Sequence, residues 1–471
     1  MVRKIAENIW EIEKEEKMRV PGRIFASDTL MQTIQKDGKT IQQVKNVAQL
    51  KGIVGSSIAM PDAHQGYGFP IGGVAAFNLK EGIISPGGVG YDINCGVRLL
   101  ATSLFKSEFM KLRKEVLAEI GKNIPTGTGK GSTFSVTDKE IDAILEKGVV
   151  WTVKKGYATR DDIEHIEDNG CIEEADANVV SPRAKARGRG QLSSLGSGNH
   201  FLEIQVVEKL FDKKKAQVLG LQKDQIVVMI HSGSRGLGHQ VASDYIMKME
   251  KEYGFAHLPD RQLAYAPLDS KLGKMYHSAM AAAANFAFVN RQLMTHQVRK
   301  SFEKLFPKVT INLVYDIAHN IAKFEEHLVE GEKQTLCVHR KGATRSFGPE
   351  RAEIPEAYRD IGCPIFIPGS MGTFSYVLVG TKKAEEISFA STAHGAGRVL
   401  SRTYAKKNIT PEHLKQELKE RDVAIKAGSI KGMLEEAPEA YKDVNEVVRV
   451  SHELGIGNLV ARLKPLAVVK G

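Results

Sequence analysis

Short apolar runs ending in polar, glycine-bearing loops recur along the chain: Gly73 to Phe77, Ile226 to Ile230 before His231, Thr310 to Val314 before Asp316, Ile365 to Ile367 before Pro368, and Tyr376 to Val379. Runs of this length predict buried strands that deliver functional loops from their ends. Helical signals alternate with them. Thr137-Asp-Lys-Glu140 is a capping box ahead of Ile141, Ile144 and Leu145, and Thr410-Pro411 supplies an N-cap with proline at the first helical position. From about Gly273 to Phe306 the pattern predicts one long helix, in which Ala281 to Ala284 permits close backbone packing. The class is therefore α+β. No repeat and no Pro/Ser-rich linker divides the chain, so residues 1–471 are expected to form a single large mixed α/β catalytic body.

A less regular stretch, about 121–190, is expected to be an exposed insertion. It carries an acidic cluster (Asp161, Asp162, Glu164, Glu167, Asp168, Glu173, Glu174, Asp176) and then Arg183, Lys185, Arg187 and Arg189. The ordinary reading of both clusters is a solvated face; the basic one could also guide a nucleic acid.

Composition narrows the class. With 42% hydrophobic and 26% charged residues, this is a folded protein with a large core. No stretch approaches the roughly 18 apolar residues of a membrane helix, and the start has no apolar signal core, so no membrane association and a cytoplasmic setting are expected. Four scattered cysteines, Cys95, Cys171, Cys337 and Cys363, are too few for a disulfide framework. The net charge of +10 favours a polyanionic partner. Glycine, 44 of 471 residues, exceeds the roughly 7% average, and the excess falls in loops beside His, Asn and Ser.

Two phosphate-site patterns fail. Gly127 to Ser132 lacks the Ser or Thr that must follow Gly-Lys in a phosphate loop, because Gly131 intervenes. Lys36-Asp37-Gly38 lacks the residue that separates Lys from Asp in the nucleophilic lysine motif of nucleotidyl-transferring ligases.

A metal constellation is better supported. In Tyr91-Asp-Ile-Asn-Cys-Gly-Val-Arg98, Asp92 and Cys95 lie three residues apart among Gly87, Gly88, Gly90 and Gly96. Both can reach one ion, and a thiolate can bridge two. A structural zinc site would want further cysteines at short spacing. The histidine candidates are His64, His200, His231, His319 and His394, at least four of them beside small residues at predicted strand or helix ends.

Taken in order, Asp92-x-x-Cys95, Gly198-Asn-His200, His231-Ser-Gly-Ser-Arg235, His319-Asn320, Pro368-Gly-Ser-Met371 and His394-Gly-Ala-Gly397 resemble the RtcB family of RNA-splicing ligases. The resemblance runs nearly end to end, from Pro61-Asp-Ala-His-Gln-Gly66 to Lys464 through Gly471. It implies a fold in which β-sheets deliver loop ligands to a central metal cleft, and a GTP- and Mn(II)-dependent ligase joining an RNA 3′-phosphate or 2′,3′-cyclic phosphate to a 5′-hydroxyl.

By the resemblance, His394 carries the guanylate, and Asp92, Cys95, His200, His231 and His319 hold two Mn(II) ions with Cys95 bridging. The implied guanylate contacts are Asn199, His200, Phe201, Leu202 and Glu203; His319 and Asn320; Pro368, Gly369, Ser370 and Met371; Ser375; His394, Gly395, Ala396 and Gly397; and Lys470. Arg235, Arg398 and Arg402 are candidate RNA-phosphate clamps, since a guanidinium fork matches phosphate bidentately; structural pairing with carboxylates is the alternative. The implied partners are RNA ends, such as tRNA exon halves, and an archease-like activator. A metal-dependent cyclic phosphodiesterase and a non-catalytic RNA-binding subunit remain as rival readings.

Overall fold

The computed structural model describes residues 1–471 except 16, 128 and 130. Positions 128 and 130, within the rejected Gly127 to Ser132 pattern, thus lie outside the described residues. Among the described residues, the strands form two large sheets. One is seven-stranded and begins at the amino terminus, in the order Val2–Ala6, Ile9–Ile12, Gly22–Phe25, Ile53–His64, Ile71–Asn78, Glu332–Lys341 and Asn320–Val329. The other is eight-stranded, with Ile311–Ala318, Gly96–Phe105, Gln225–Ser232, Phe201–Leu210, Asn458–Lys470, Ser375–Val379 and Pro364–Ile367 side by side and Ala424–Ala427 alongside Asn458–Lys470. The fold is mixed α and β, as the sequence pattern predicts.

The five short apolar runs are strands, and several extend past their apolar residues. The third strand runs on to Ala318 and so includes Asp316, and the second includes His231. Asp316 can sit in a buried strand because its charge is answered: Arg98 Nε donates at 2.7 Å and Arg291 Nη2 at 2.8 Å. The expected long helix spans Lys271–Leu305, with Ala281 to Ala284 fully buried against the core. Lys36-Asp37-Gly38 has a local role: Asp37 Oδ1 accepts from the backbone N–H groups of Lys39 and Thr40 and so starts the next helix.

The 121–190 segment is not an exposed appendage. Ile141, Ile144, Leu145, Val149, Trp151, Ile166 and Ala184 belong to the main hydrophobic core. The solvated-face reading of its charges also fails in part. Asp162 is buried against Arg299, with Nη2 to Oδ1 at 2.6 Å, and Glu167 is buried against Lys323 at 2.7 Å and Arg345 at 3.1 Å. Lys185 pairs with Asp142 at 2.6 Å and Arg189 with Asp138 at 2.7 Å, so the basic cluster is partly neutralised within the fold. A charged residue can sit on an apolar helix face when its partner comes from another element, which local spacing cannot reveal.

Candidate metal and nucleotide site

Strand register gathers the site. Ala318 pairs with Gly96, Gly96 with Ser232, Val97 and Phe201 both with His231, and Phe201 with Lys470. Neighbouring strands of one sheet therefore bring His319, Cys95, His231, His200 and Lys470 to a common edge, although they are spread over most of the chain. Buried Arg291, from the long helix, braces that edge. Its Nη1 donates to the carbonyls of Asn94 at 2.8 Å and Ser232 at 2.9 Å, while its Nε and Nη2 engage Asp316. One guanidinium thus holds the segments carrying Cys95, His231 and His319. Its five fixed donors suit such a hub.

Two groups of potential ligands share Cys95: Asp92, Cys95 and His200; and Cys95, His231 and His319, with the ligand atoms of each group within 4.8 Å of one another. Cys95 Sγ lies 3.4 Å from His200 Nε2 and 3.2 Å from His231 Nε2. His231 Nε2 is 3.3 Å from His319 Nε2, and His200 Nε2 is 2.7 Å from Asp92 Oδ2. His200 Nδ1 meets the carbonyl of Leu195 at 2.9 Å, which orients the ring and turns Nε2 to the group.

Burial pushes the Cys95 thiol well above its ordinary range, and the Asp92 carboxylate raises it further. Burial, then neighbouring imidazoles, holds His231 and His319 far below the usual histidine value, so both rings are neutral. Burial opposes ionisation of Asp92, but His200 outweighs it and keeps the carboxyl ionised. A cation between these groups would draw the proton from the thiol and find neutral imidazoles ready to donate.

His394 lies beside this centre, its ring centroid 4.7 Å from that of His319. It follows the short strand Ser391–Ala393, which pairs with Ala343–Arg345. Asp62, fully buried, has Oδ2 2.6 Å from His394 Nδ1 and accepts the backbone N–H groups of His394 at 3.1 Å and Gly395 at 3.2 Å. Gly397 has φ +75, and a Cβ there would stand 2.1 Å from the Asp62 carbonyl oxygen, so this loop requires glycine. Lys442 ties the pieces together: its backbone N–H donates to Gly397 O at 2.9 Å, and its ammonium reaches the carbonyls on either side of Asp62, those of Pro61 and Ala63. Sequence reasoning singled out the segment holding Asp62 but gave that residue no role; the carboxylate inside Pro61-Asp-Ala-His was the available signal.

A cleft of about 550 Å³ opens over the two groups. It is lined by Asp92, Cys95, His231, His319 and His394, and by Asn199, Phe201, Asn320, Pro368 to Met371, Gly395 to Gly397, Arg398, Arg402 and Lys470. Other predicted residues lie outside it. Leu202 is a fully buried core residue. Glu203 and Ser375 are buried behind the wall, where Gln205 Nε2 donates to Glu203 Oε2 at 2.7 Å and to Ser375 Oγ at 3.0 Å. Burial raises the Glu203 carboxyl to about 8.

Lys470, second from the end, is buried rather than mobile. Its ammonium donates to the carbonyls of Gly198 and His200, and burial lowers it to about 8. Arg235 does not face the cleft: its Nη2 donates to Gly127 O at 2.8 Å and its Nε to Ser194 Oγ at 3.3 Å. Arg398 and Arg402 line the cleft, and both contact Glu436 at 3.2 Å, yet the Arg402 side chain remains half exposed. His64 also lines the cleft, with Nδ1 3.0 Å from the Asp62 carbonyl, but belongs to neither ligand group.

A family model described as tRNA-splicing ligase RtcB matches residues 43–471. Curated proteins named tRNA-splicing ligase RtcB align over nearly full length. The Thermococcus kodakarensis protein is 52% identical over 98% of this chain and 97% of its own. The Nanoarchaeum equitans protein is 52% identical over 100% of this chain and 99% of its own. The Archaeoglobus fulgidus protein is 50% identical over 100% and 99%. A histidine beside two ligand groups that share one cysteine thus sits in a chain matched along its length, and this protein belongs to the RtcB family.

Proposed function

We propose that this protein is an RNA ligase that uses GTP and Mn(II) to join RNA 3′-phosphate or 2′,3′-cyclic phosphate ends to 5′-hydroxyl ends through a guanylate on His394. The observation that carries the reading is His394 beside two ligand groups sharing Cys95. A cyclic phosphodiesterase would use the ligands but has no need of a nucleophilic imidazole backed by a buried carboxylate.

The donor set fits a pair of divalent ions. It combines a thiol, neutral imidazoles and a carboxylate, and the Nδ1 atom of His231 is buried without a partner among the described residues. Asp92, Cys95 and His200 would hold one ion, and Cys95, His231 and His319 the other. When bound, the ions supply charge neutralisation and polarisation of the phosphate under attack.

The chain's own groups account for the transfers. Asp62 against Nδ1 leaves His394 Nε2 as the attacking nitrogen and balances the charge that develops on the ring. Nε2 attacks the α-phosphorus of GTP; the P–N bond forms, the α–β bridge breaks and pyrophosphate leaves. An oxygen of the RNA 3′-phosphate then takes the guanylate, freeing His394. The 5′-hydroxyl attacks the activated phosphorus and loses its proton, a phosphodiester forms, and GMP departs. A cyclic end is first opened by water in the same cleft.

Asn199, Phe201, Asn320, the Pro368 to Met371 loop and the Gly395 to Gly397 loop would surround the guanylate, with Lys470, Glu203 and Ser375 at its base. Lys470, which lines the cleft, would offer a donor to a purine edge, with Glu203 behind the wall supporting it. Arg402 is the exposed guanidinium suited to an RNA phosphate. The family reading extends to tRNA exon halves as substrate, an archease-like activator and a cytoplasmic setting. No helix among the described residues is long and apolar enough to cross a membrane.

The test is incubation with Mn(II) and GTP, then intact-mass and peptide mass spectrometry, beside a joining assay with 3′-phosphate and 5′-hydroxyl oligonucleotides. A guanylate-sized adduct on His394 and a joined product are expected. Opening of a cyclic end without adduct or joining would make the protein a phosphodiesterase.

A further inference from the structure

His64 and Tyr441 apart, three aromatic rings on the cleft wall belong to neither ligand group and to none of the guanylate contacts: Tyr67, Tyr91 and His239. They form a connected series. Tyr67 and Tyr91 meet edge to face at 5.2 Å, and Tyr91 and His239 lie nearly parallel at 5.8 Å, with planes 30° apart. Tyr67 and Tyr91 pack on the main core while also lining the cleft, which gives each ring a fixed back and an open side. Lys341 braces Tyr67 by donating to its carbonyl oxygen.

From this arrangement we propose that Tyr67, Tyr91 and His239 form a stacking wall for the terminal nucleobase of the RNA strand being joined; the assignment rests on the RNA-ligase reading. Aromatic rings normally bury their faces in a core, and rings held rigid at the mouth of a polar cleft are the usual platform for bases. Position in the chain supports it. Tyr91 directly precedes Asp92, and both residues line the same cleft.

The surroundings suit the strand that follows. His239 lies one turn after Arg235 in the helix Arg235–Tyr253, and Arg187 packs on that helix with Nη1 3.0 Å from Gln240 Oε1. The wall shows rings rather than a directional set of donors and acceptors. It therefore accepts any base, as an enzyme that joins ends of varied sequence requires.

The experiment uses the Mn(II)-loaded full chain and a 3′-phosphate RNA carrying 2-aminopurine at the terminal nucleotide or three nucleotides inward, with fluorescence anisotropy reporting binding. Binding is expected to quench the terminal probe and spare the inner one. The Tyr67→Leu, His239→Leu double variant should lose the quench and raise the KM for RNA about tenfold or more. The Tyr67→Phe, His239→Tyr variant should retain both, because it keeps the rings; this separates stacking from a folding defect. Binding by the wild type without terminal quenching, or an unchanged quench and KM in the leucine variant, would overturn the stacking wall. No anisotropy change with the wild type would instead sink the RNA-ligase reading, and the wall with it.

Discussion

Asp62 and His394, 332 residues apart in sequence, meet with Oδ2 2.6 Å from Nδ1. The carboxylate is fully buried and also accepts two backbone N–H groups of the His394 loop. It therefore fixes the loop that carries His394 and stands directly beside Nδ1 of its ring. Asp62→Asn should slow guanylylation by about 10² to 10⁴, the range for loss of an orienting carboxylate behind a reacting imidazole. His394→Ala should abolish labelling and leave metal content intact, since His394 is in neither ligand group. Labelling with radioactive GTP beside elemental analysis checks both; wild-type labelling in either variant would contradict the assignment.

Cys95 is shared, so its loss should strike both ligand groups at once. Cys95→Ser is expected to lower bound Mn(II) from two ions per chain towards none, because a hydroxyl is a far poorer bridging donor than a thiolate. His319→Ala, which touches one group only, should retain about half. Equal losses from the two variants would argue against a shared thiolate.

Removing Lys470 and Gly471 should impair GTP use and also cost stability. The truncation leaves the carbonyls of Gly198 and His200 without their donor, at about 1–3 kcal/mol for each that stays buried and unpaired. Guanylylation titrated with GTP, beside a thermal melt, measures the two effects; a truncated chain with wild-type values of both would remove Lys470 from the site.

Glu203 carries a pH signature. Its carboxyl is raised by burial to about 8 from an ordinary 4.5. Between those values the folded chain holds a proton that the unfolded chain has released, so this group makes stability fall as pH rises, by up to about 1.4 kcal/mol per pH unit. Lys470, lowered by burial to about 8, is charged in both states through most of that window, but near its top the folded chain begins to release this proton, which offsets part of the slope. Urea unfolding at several pH values should show this slope in the wild type and its loss in Glu203→Gln; identical slopes would mean that Glu203 is ionised in the fold.

Among the basic residues before His200, Lys185 and Arg189 are paired with Asp142 and Asp138, whereas Arg183 is exposed. Neutralising Arg183 and Arg187 should reduce the salt dependence of RNA binding by about 0.7 in log–log slope per lost phosphate contact. Neutralising Lys185 and Arg189 should cost stability first. Binding titrations across salt concentrations, with melts of each pair, distinguish the two, and an unchanged slope would assign the helix to the fold alone.

Residue identity and local spacing determined much of this protein. The apolar runs specify their strands, Thr137 and Thr410 begin their helices, and the order of the Asp, Cys, His and Gly motifs marks the family and names the metal candidates, because these signals act within a few residues. What spacing could not decide is which distant segments meet. The register of Ala318, Gly96, Ser232 and Phe201 places the candidate ligands at one sheet edge, and Arg291 braces the segments that carry them. Tertiary packing alone set Asp62 behind His394, turned Arg235 into the protein, buried Lys470 and drew the 121–190 segment into the core. Each of those outcomes depends on a buried charge or carbonyl finding its partner across hundreds of residues. In low dielectric such groups must be paired, and only the folded chain determines with what.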